Sequence, residues 1–73
     1  MTKRSVKIAG HATSISLEEE FWSALQEAAA ARDIALSSLI TEIDTGRTGA
    51  ENLSSALRVF ILRDLQTRLK DRP

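Results

Sequence analysis

From residue 5 to residue 17 the chain alternates between apolar and polar positions. A period of two over β-branched residues is typical of a strand that has one buried face. The dipeptide Gly10-His11 interrupts the alternation, either as the turn of a local hairpin or as a bulge within one extended arm. We predict a basic arm and strand over about residues 3–17. The positions expected to be buried are Val6, Ile8, Thr13, Ile15 and Leu17, and those expected to face outward are Ala12, Ser14 and Ser16.

The pattern then changes to the 3.6-residue period of an amphipathic helix. Ser16 and Glu19 have the spacing of a capping box, and the acidic residues around Glu19 suit the positive end of a helix dipole. We predict helix A over about residues 17–31, followed by Asp33 in the left-handed position that ends many helices. Its apolar stripe consists of Phe21, Trp22, Leu25, Ala28 and Ala29.

Two further helices are expected beyond it. Apolar residues from Ile34 to Ile43 predict a short helix B over about residues 36–44, and the two glycines of the segment 45–49 predict a loop. Asn52 is placed to cap helix C, over about residues 52–70. Helix C has one apolar stripe at Leu53, Leu57, Phe60, Ile61 and Leu65 and a second at Val59, Leu62 and Leu69, so it needs two neighbours.

A chain of 73 residues forms one domain, here residues 1–73, and is marginally stable alone. It contains no cysteine for a disulfide and one histidine, which excludes a Cys/His metal site, yet 42% of its residues are hydrophobic. A lone strand also leaves its backbone groups unpaired. We therefore predict an intertwined homodimer in which two copies of the strand pair antiparallel as a ribbon. The expected dimer core is Ile15, Leu17, Trp22, Leu57, Phe60 and Ile61.

The net charge is zero, but the charges are unevenly distributed. Residues 1–16 carry +3, residues 17–44 carry −6, and residues 45–73 carry +3. Basic ends around an acidic middle indicate a directional electrostatic surface. No nucleophile with a base partner, metal set or glycine-rich phosphate loop is evident, so we expect no enzyme, cofactor or small-molecule substrate. Without a membrane span or export signal, we expect the cytoplasm.

The run TSISLEEEFWSAL from Thr13, followed by IALSSLI from Ile34, resembles the ribbon-helix-helix superfamily. That superfamily includes the Arc and MetJ repressors and many bacterial antitoxins. The ending NLSSALRVF from Asn52 looks like a group of short bacterial proteins of this type. The resemblance implies a mainly α-helical dimer with a two-stranded antiparallel ribbon and an extra C-terminal helix. It implies a DNA-binding regulator of transcription, with a repressor as the expected type, that inserts its ribbon in the major groove.

When the family's roles are carried over by position, the resemblance implies that Ser14 and Ser16 are the ribbon residues that face bases. It also implies that the start of helix B, at Leu36, Ser37 and Ser38, holds a DNA phosphate as a clamp. A helix start favours anions in any case, and Arg47 lies nearby in the sequence. The outward side chains are shorter than is usual in the family, which weakens sequence reading or moves it to other residues. Ala35 stands where a capping serine or threonine is common. The remaining DNA-contact candidates are Lys3, Arg4, Lys7 and His11.

The alternative function is a protein-interaction module that has this fold without the DNA role. Helix C would then present Val59, Leu62 and Leu69 to a different protein. An antitoxin-like version ranks lower, because only four residues follow Leu69 and antitoxins usually carry a longer tail.

Overall fold

The computed structural model describes residues 1–46 and 52–71. Two strands come first, β1 (Thr2–Ile8) and β2 (His11–Leu17), and three helices follow. The predicted fold class, mainly helical with a two-stranded antiparallel sheet and an extra C-terminal helix, is confirmed. None of the helices in the described part of the chain is long and apolar enough to cross a membrane. The helices are α1 (Glu19–Ala31), α2 (Leu36–Gly46) and α3 (Leu53–Lys70).

The extended segment is a hairpin, which decides between the two alternatives left open by the sequence. β1 and β2 pair antiparallel from Ile8 and His11 at the turn to Thr2 and Leu17 at the open end. The two turn residues, Ala9 and Gly10, have φ angles of 50° and 85°, as a type I′ turn requires. The strand therefore finds its partner in its own chain. The prediction of a lone strand without a partner in its own chain is wrong, and pairing with a second copy stays a prediction.

Helix α1 begins later than predicted. Its N-cap is Glu18, in extended backbone and without a side-chain capping bond, so the Ser16–Glu19 capping box does not form. The reason is tertiary: Ser16 and Leu17 remain in β2, and the Ser16 carbonyl accepts a hydrogen bond from Ser54 Oγ at 3.1 Å. The other end agrees with the prediction, because Asp33 has a φ of 56° just after the helix.

The two later helices begin where the sequence places them. Asn52 caps α3 by accepting hydrogen bonds from the backbone amides of Ser54 and Ser55, which confirms its predicted role. Helix α2 continues two residues past its predicted end, through Thr45 and Gly46, so the start of the predicted loop is helical. Residues 47–49 of that loop lie outside the described residues.

The hydrophobic core lies between the inner face of the hairpin and the three helices. Five of the six residues assigned to a dimer core are buried within the single chain, and Phe60 is partly buried against them. Their burial therefore does not depend on a second copy, and their assignment to a dimer core stays a prediction. One side of α3 stays uncovered, as its second apolar stripe predicts, but Leu65 lies on this exposed side rather than in the first stripe. The exposed set is Val59, Leu62, Leu65 and Leu69.

Candidate nucleic-acid interface

One face of the hairpin packs on the helices and the other is open to solvent. On β1 the open face carries Lys3, Ser5 and Lys7, all exposed, between inward-facing residues that are half-buried or buried. On β2 it carries Ala12, Ser14 and Ser16. The register places these two rows directly opposite each other, as Lys3 with Ser16, Ser5 with Ser14, and Lys7 with Ala12. We call these six residues the outward hairpin face.

The outward hairpin face brings together four of the predicted DNA-contact residues, Lys3, Lys7, Ser14 and Ser16. It also includes Ser5, which the sequence reasoning missed. The signal was present, because Ser5 lies two residues from each lysine and the side-chain period of a strand is two. The face carries two lysines and no acid, so its potential favours an anion.

Arg4 is not part of this face. Its guanidinium lies 5.1 Å from the centre of the Trp22 ring and 4.0 Å from the carboxylate of Glu19. The indole Nε1 of Trp22 donates a 2.9 Å hydrogen bond to the carbonyl of Thr2, and the Thr2 hydroxyl donates to Glu19. These contacts attach β1 to α1. Arg4 is thus placed to support the fold rather than to meet DNA from the outward face.

His11 also departs from the predicted set. It is exposed at the turn end of β2, but it belongs to the row of Thr13 and Ile15, which faces the helices. The structure therefore separates the two candidates Arg4 and His11 from the lysines and serines of the outward face.

Two acidic residues at the start of α1, Glu18 and Glu19, contact basic partners. Glu18 accepts hydrogen bonds from Arg58, with 3.1 Å contacts to both Nε and Nη2. A hydrogen bond from the backbone of Glu18 itself, followed by the hydrogen bond and charge of Arg58, lowers the pKa of this carboxyl below its ordinary value. Arg58 also lies 5.7 Å from the centre of the Phe21 ring, so this ion pair joins α3 to α1.

The predicted phosphate clamp lies at the start of α2, a helix that packs against β1. The carbonyl of Ala35 accepts hydrogen bonds from the amides of Ser38 and Leu39, so Ala35 occupies the capping position without a side chain to fill it. The first amides of a helix have no partner within it. Ser37 is half-buried and Ser38 is exposed there, and Arg47, the third member of the clamp, lies outside the described residues.

Residues 1–65 match the ribbon-helix-helix domain family. The chain belongs to this family. Ribbon-helix-helix domains are generally DNA-binding regulators of transcription, and their fold is not an enzymatic one. No curated protein matches the chain.

A solved structure supports the same fold. An uncharacterized protein from Bordetella pertussis Tohama I is 33% identical in sequence, and the two structures superpose with a TM-score of 0.78. The match covers 99% of this chain but 61% of that protein's chain, so this ribbon-helix-helix chain spans less than two thirds of its relative's length.

The hairpin of this ribbon-helix-helix chain has two outer edges of different chemistry. In an antiparallel pair, residues alternate between pairs that bond to each other and pairs whose backbone groups point outward. Ile8 and His11 at the turn form a bonded pair, so the next pair along the hairpin is an outward one, and the two kinds alternate from there. The backbone N–H and C=O groups of β2 that point outward are therefore those of Ala12, Ser14 and Ser16. Ser54 already occupies the carbonyl of Ser16. The free part of this edge is therefore Ala12 and Ser14, beside short side chains.

Proposed function

We propose that this chain is a DNA-binding regulator of transcription that places its outward hairpin face in the major groove. The observation that carries the proposal is the pairing of Lys3 and Lys7 with a row of small residues on one exposed, acid-free surface of a ribbon-helix-helix domain. A β-ribbon is one of the two elements that the major groove of B-DNA admits. Repression is the form of regulation that we propose, by occupation of the DNA.

The DNA-binding unit that we propose is a homodimer joined through β2. The outer edge of β1 is flanked by Lys3 and Lys7, and edge lysines oppose pairing with another strand. The free edge of β2 has Ala12 and Ser14 instead, which offer neither charge nor bulk against a second copy. Pairing two β2 edges across a twofold axis gives a four-stranded sheet with the β1 strands outside. Lysines then lie along both margins of the sheet and serines along its centre.

The width of such a sheet fits this arrangement. Three inter-strand spacings of about 4.8 Å place the two β1 strands about 14 Å apart. The major groove is about 12 Å wide, so the central strands enter it while the outer strands lie over its phosphate-lined rims. Lys3 and Lys7 then contact phosphates, and Ser14 and Ser16 face base edges. Phosphate contacts of this kind fix position, and groove contacts read sequence.

The start of α2 supplies the second phosphate contact in this proposal. The amides of Leu36 and Ser37 precede the first amide that is bonded to Ala35, and together with the positive dipole end they favour a phosphate oxygen beside Ser37 and Ser38. Ala35 leaves the end without a side-chain cap, so its amides are not already satisfied by a neighbouring hydroxyl. The third predicted member of the clamp, Arg47, comes after Gly46 at the opposite end of α2, about 15 Å along the helix axis from this contact, and lies outside the described residues, so it is not part of the proposed contact.

The experiment is fluorescence anisotropy with duplexes selected from a random pool. Replacing Lys3 and Lys7 with alanine is expected to weaken binding and to reduce the slope of log affinity against log salt by about 0.9 for each phosphate that the variant no longer neutralises. Lys70→Ala is the matched control, because this lysine is also exposed but lies at the far end of α3. Equal salt slopes for the two variants, or no binding to any duplex at low salt, would exclude the proposed interface.

A further inference from the structure

A groove lies between the start of α1 and the outer side of α3, away from the outward hairpin face. Its volume is about 300 Å³, and its walls are almost entirely apolar. Phe21 forms the α1 side of the groove. The charged residue that lines the groove, Arg58, forms an ion pair with Glu18. The residues that line it are Phe21, Arg58, Val59, Ile61, Leu62 and Leu65.

The apolar surface continues past the groove along α3. Val59, Leu62, Leu65 and Leu69, here called the α3 stripe, are exposed by 37%, 56%, 45% and 62%. Their spacing of three, three and four residues places them on one side of the helix. Ten residues at about 1.5 Å per residue give the stripe a length of about 15 Å, or nearly three turns. A surface of this shape fits one helix lying along it.

The charges beside the stripe decide what kind of helix fits. Arg63 and Lys70 each follow directly after a leucine of the stripe, Leu62 and Leu69, so both lie on the same flank of the helix. Asp64, the acid of α3 within the described part of the chain, lines a second groove together with Arg63, but its carboxylate is bound to Arg32 and Arg68, both at 3.0 Å. Asp71 follows the helix. The open flank is therefore positive.

A second copy of the chain does not match this flank. An antiparallel pair of α3 helices would bring Arg63 of each copy toward Lys70 of the other, and a parallel pair would bring Arg63 toward Arg58. Like charges placed together across an interface disfavour it. The acid-bearing helix α1 does not fit either, because its apolar face is already buried in the core. No described helix of this chain combines a free apolar stripe with an acidic flank.

We infer that the groove and the α3 stripe form a docking site for an amphipathic helix of a different protein, with leucine-like residues on one face and acidic residues on one flank. The partner's apolar side chains fill the groove beside Phe21 and cover Leu62 and Leu65. Its carboxylates lie against Arg63 and Lys70. Because this surface is separate from the outward hairpin face, a regulator could hold its partner and DNA together.

The test uses the full chain and two fluorescein-labelled helical peptides without DNA. Both peptides carry the same leucine stripe over about four turns, and one has glutamates on its flank where the other has lysines. The glutamate peptide is expected to bind at least about tenfold more tightly at low salt, with the difference shrinking as salt is added. Arg63→Glu combined with Lys70→Glu is expected to reverse the preference.

Two variants of α3 separate docking from general damage. Leu62→Asn is expected to abolish binding of the glutamate peptide, whereas Thr67→Asn, also an exposed position but on another side of the same helix, is expected to preserve it. Equal affinity for the two peptides overturns the inference. A second result also overturns it: neither peptide binds, and sedimentation equilibrium shows a homodimer that Leu62→Asn dissociates. The occupant of the stripe is then a second copy of the chain.

Discussion

Single side chains attach the first strand to the rest of the molecule. Trp22 is fully buried and binds the carbonyl of Thr2, while Arg4 covers its ring and reaches Glu19. The sequence predicted Trp22 as a core residue, and this is confirmed. The signal for Arg4 was present but not used: Val6 and Ile8 were predicted to be buried, and Arg4 lies two residues before Val6, so the strand period places it on the inward face. Arg4 was instead grouped with Lys3 and Lys7 because of its charge.

The hydrogen bond from Trp22 can be tested by Trp22→Phe. The substitution keeps an aromatic ring but removes the indole N–H and leaves the Thr2 carbonyl without this donor. We expect the free energy of unfolding to fall by about 1–3 kcal/mol. Urea denaturation followed by circular dichroism measures it, with Ser23→Ala, an exposed neighbour, as control. A loss below about 0.5 kcal/mol, typical of a surface substitution, would contradict the role given to this bond.

Glu18 predicts a pH dependence of stability. Its pKa is lower in the folded chain than its ordinary value, so the stabilisation is present above that value and is lost as the pH falls through the lowered pKa. Glu18→Gln is therefore expected to be less stable than the native chain at neutral pH, with the difference shrinking at acidic pH as Glu18 becomes protonated. Glu20→Gln, at an exposed position in the same turn, is the control. A constant difference at both pH values would show that the charge of Glu18 plays no part.

At the scale of elements, helices were easier to predict than the hairpin. The apolar period located α1, α2 and α3, and Asn52 marked the start of α3. The strand pattern was also correct, but the turn was placed one residue too late, at Gly10-His11 instead of Ala9-Gly10. Alanine rarely adopts the positive φ that Ala9 has here, so nothing in the sequence marked it as a turn residue. The capping box at Ser16 failed because pairing with Lys3 outweighed a local preference.

The turn gives a pair of substitutions with opposite expected effects. Gly10→Ala places a side chain on a residue with a φ of 85°, and we expect a loss of about 1 kcal/mol in unfolding free energy. A Cβ at this position would meet no atom within 4 Å, so the loss comes from the backbone alone. Ala9→Asn creates the Asn-Gly pair that type I′ turns prefer and is expected to stabilise the chain. Thermal unfolding of both variants checks this, and a stabilising Gly10→Ala would contradict the turn assignment.

At the scale of the whole molecule, the single chain explains its own core but not its outer surfaces. The sequence predicted a dimer from an unpaired strand and an incomplete core, and the structure removes both reasons, because β1 pairs with β2 and α3 closes the core. No pattern along the sequence separates burial by α3 from burial by a second copy, since both need the same apolar residues. What now supports a dimer is the difference between the two edges of the hairpin.

That difference can be tested with one substitution on each strand. Ser5 and Ser14 lie opposite each other, and both are expected to point their backbone N–H away from the hairpin. Proline at either position therefore removes an outward donor without breaking a hydrogen bond between β1 and β2. If β2 edges join the dimer, Ser14→Pro is expected to give monomers that bind DNA weakly, whereas Ser5→Pro stays dimeric. Sedimentation equilibrium measures the oligomer, and the fluorescence of Trp22, the single tryptophan, reports whether β1 remains docked. Monomers from Ser5→Pro alone, with Trp22 emission unchanged, would place the interface on β1 and move the lysines to the centre of the sheet.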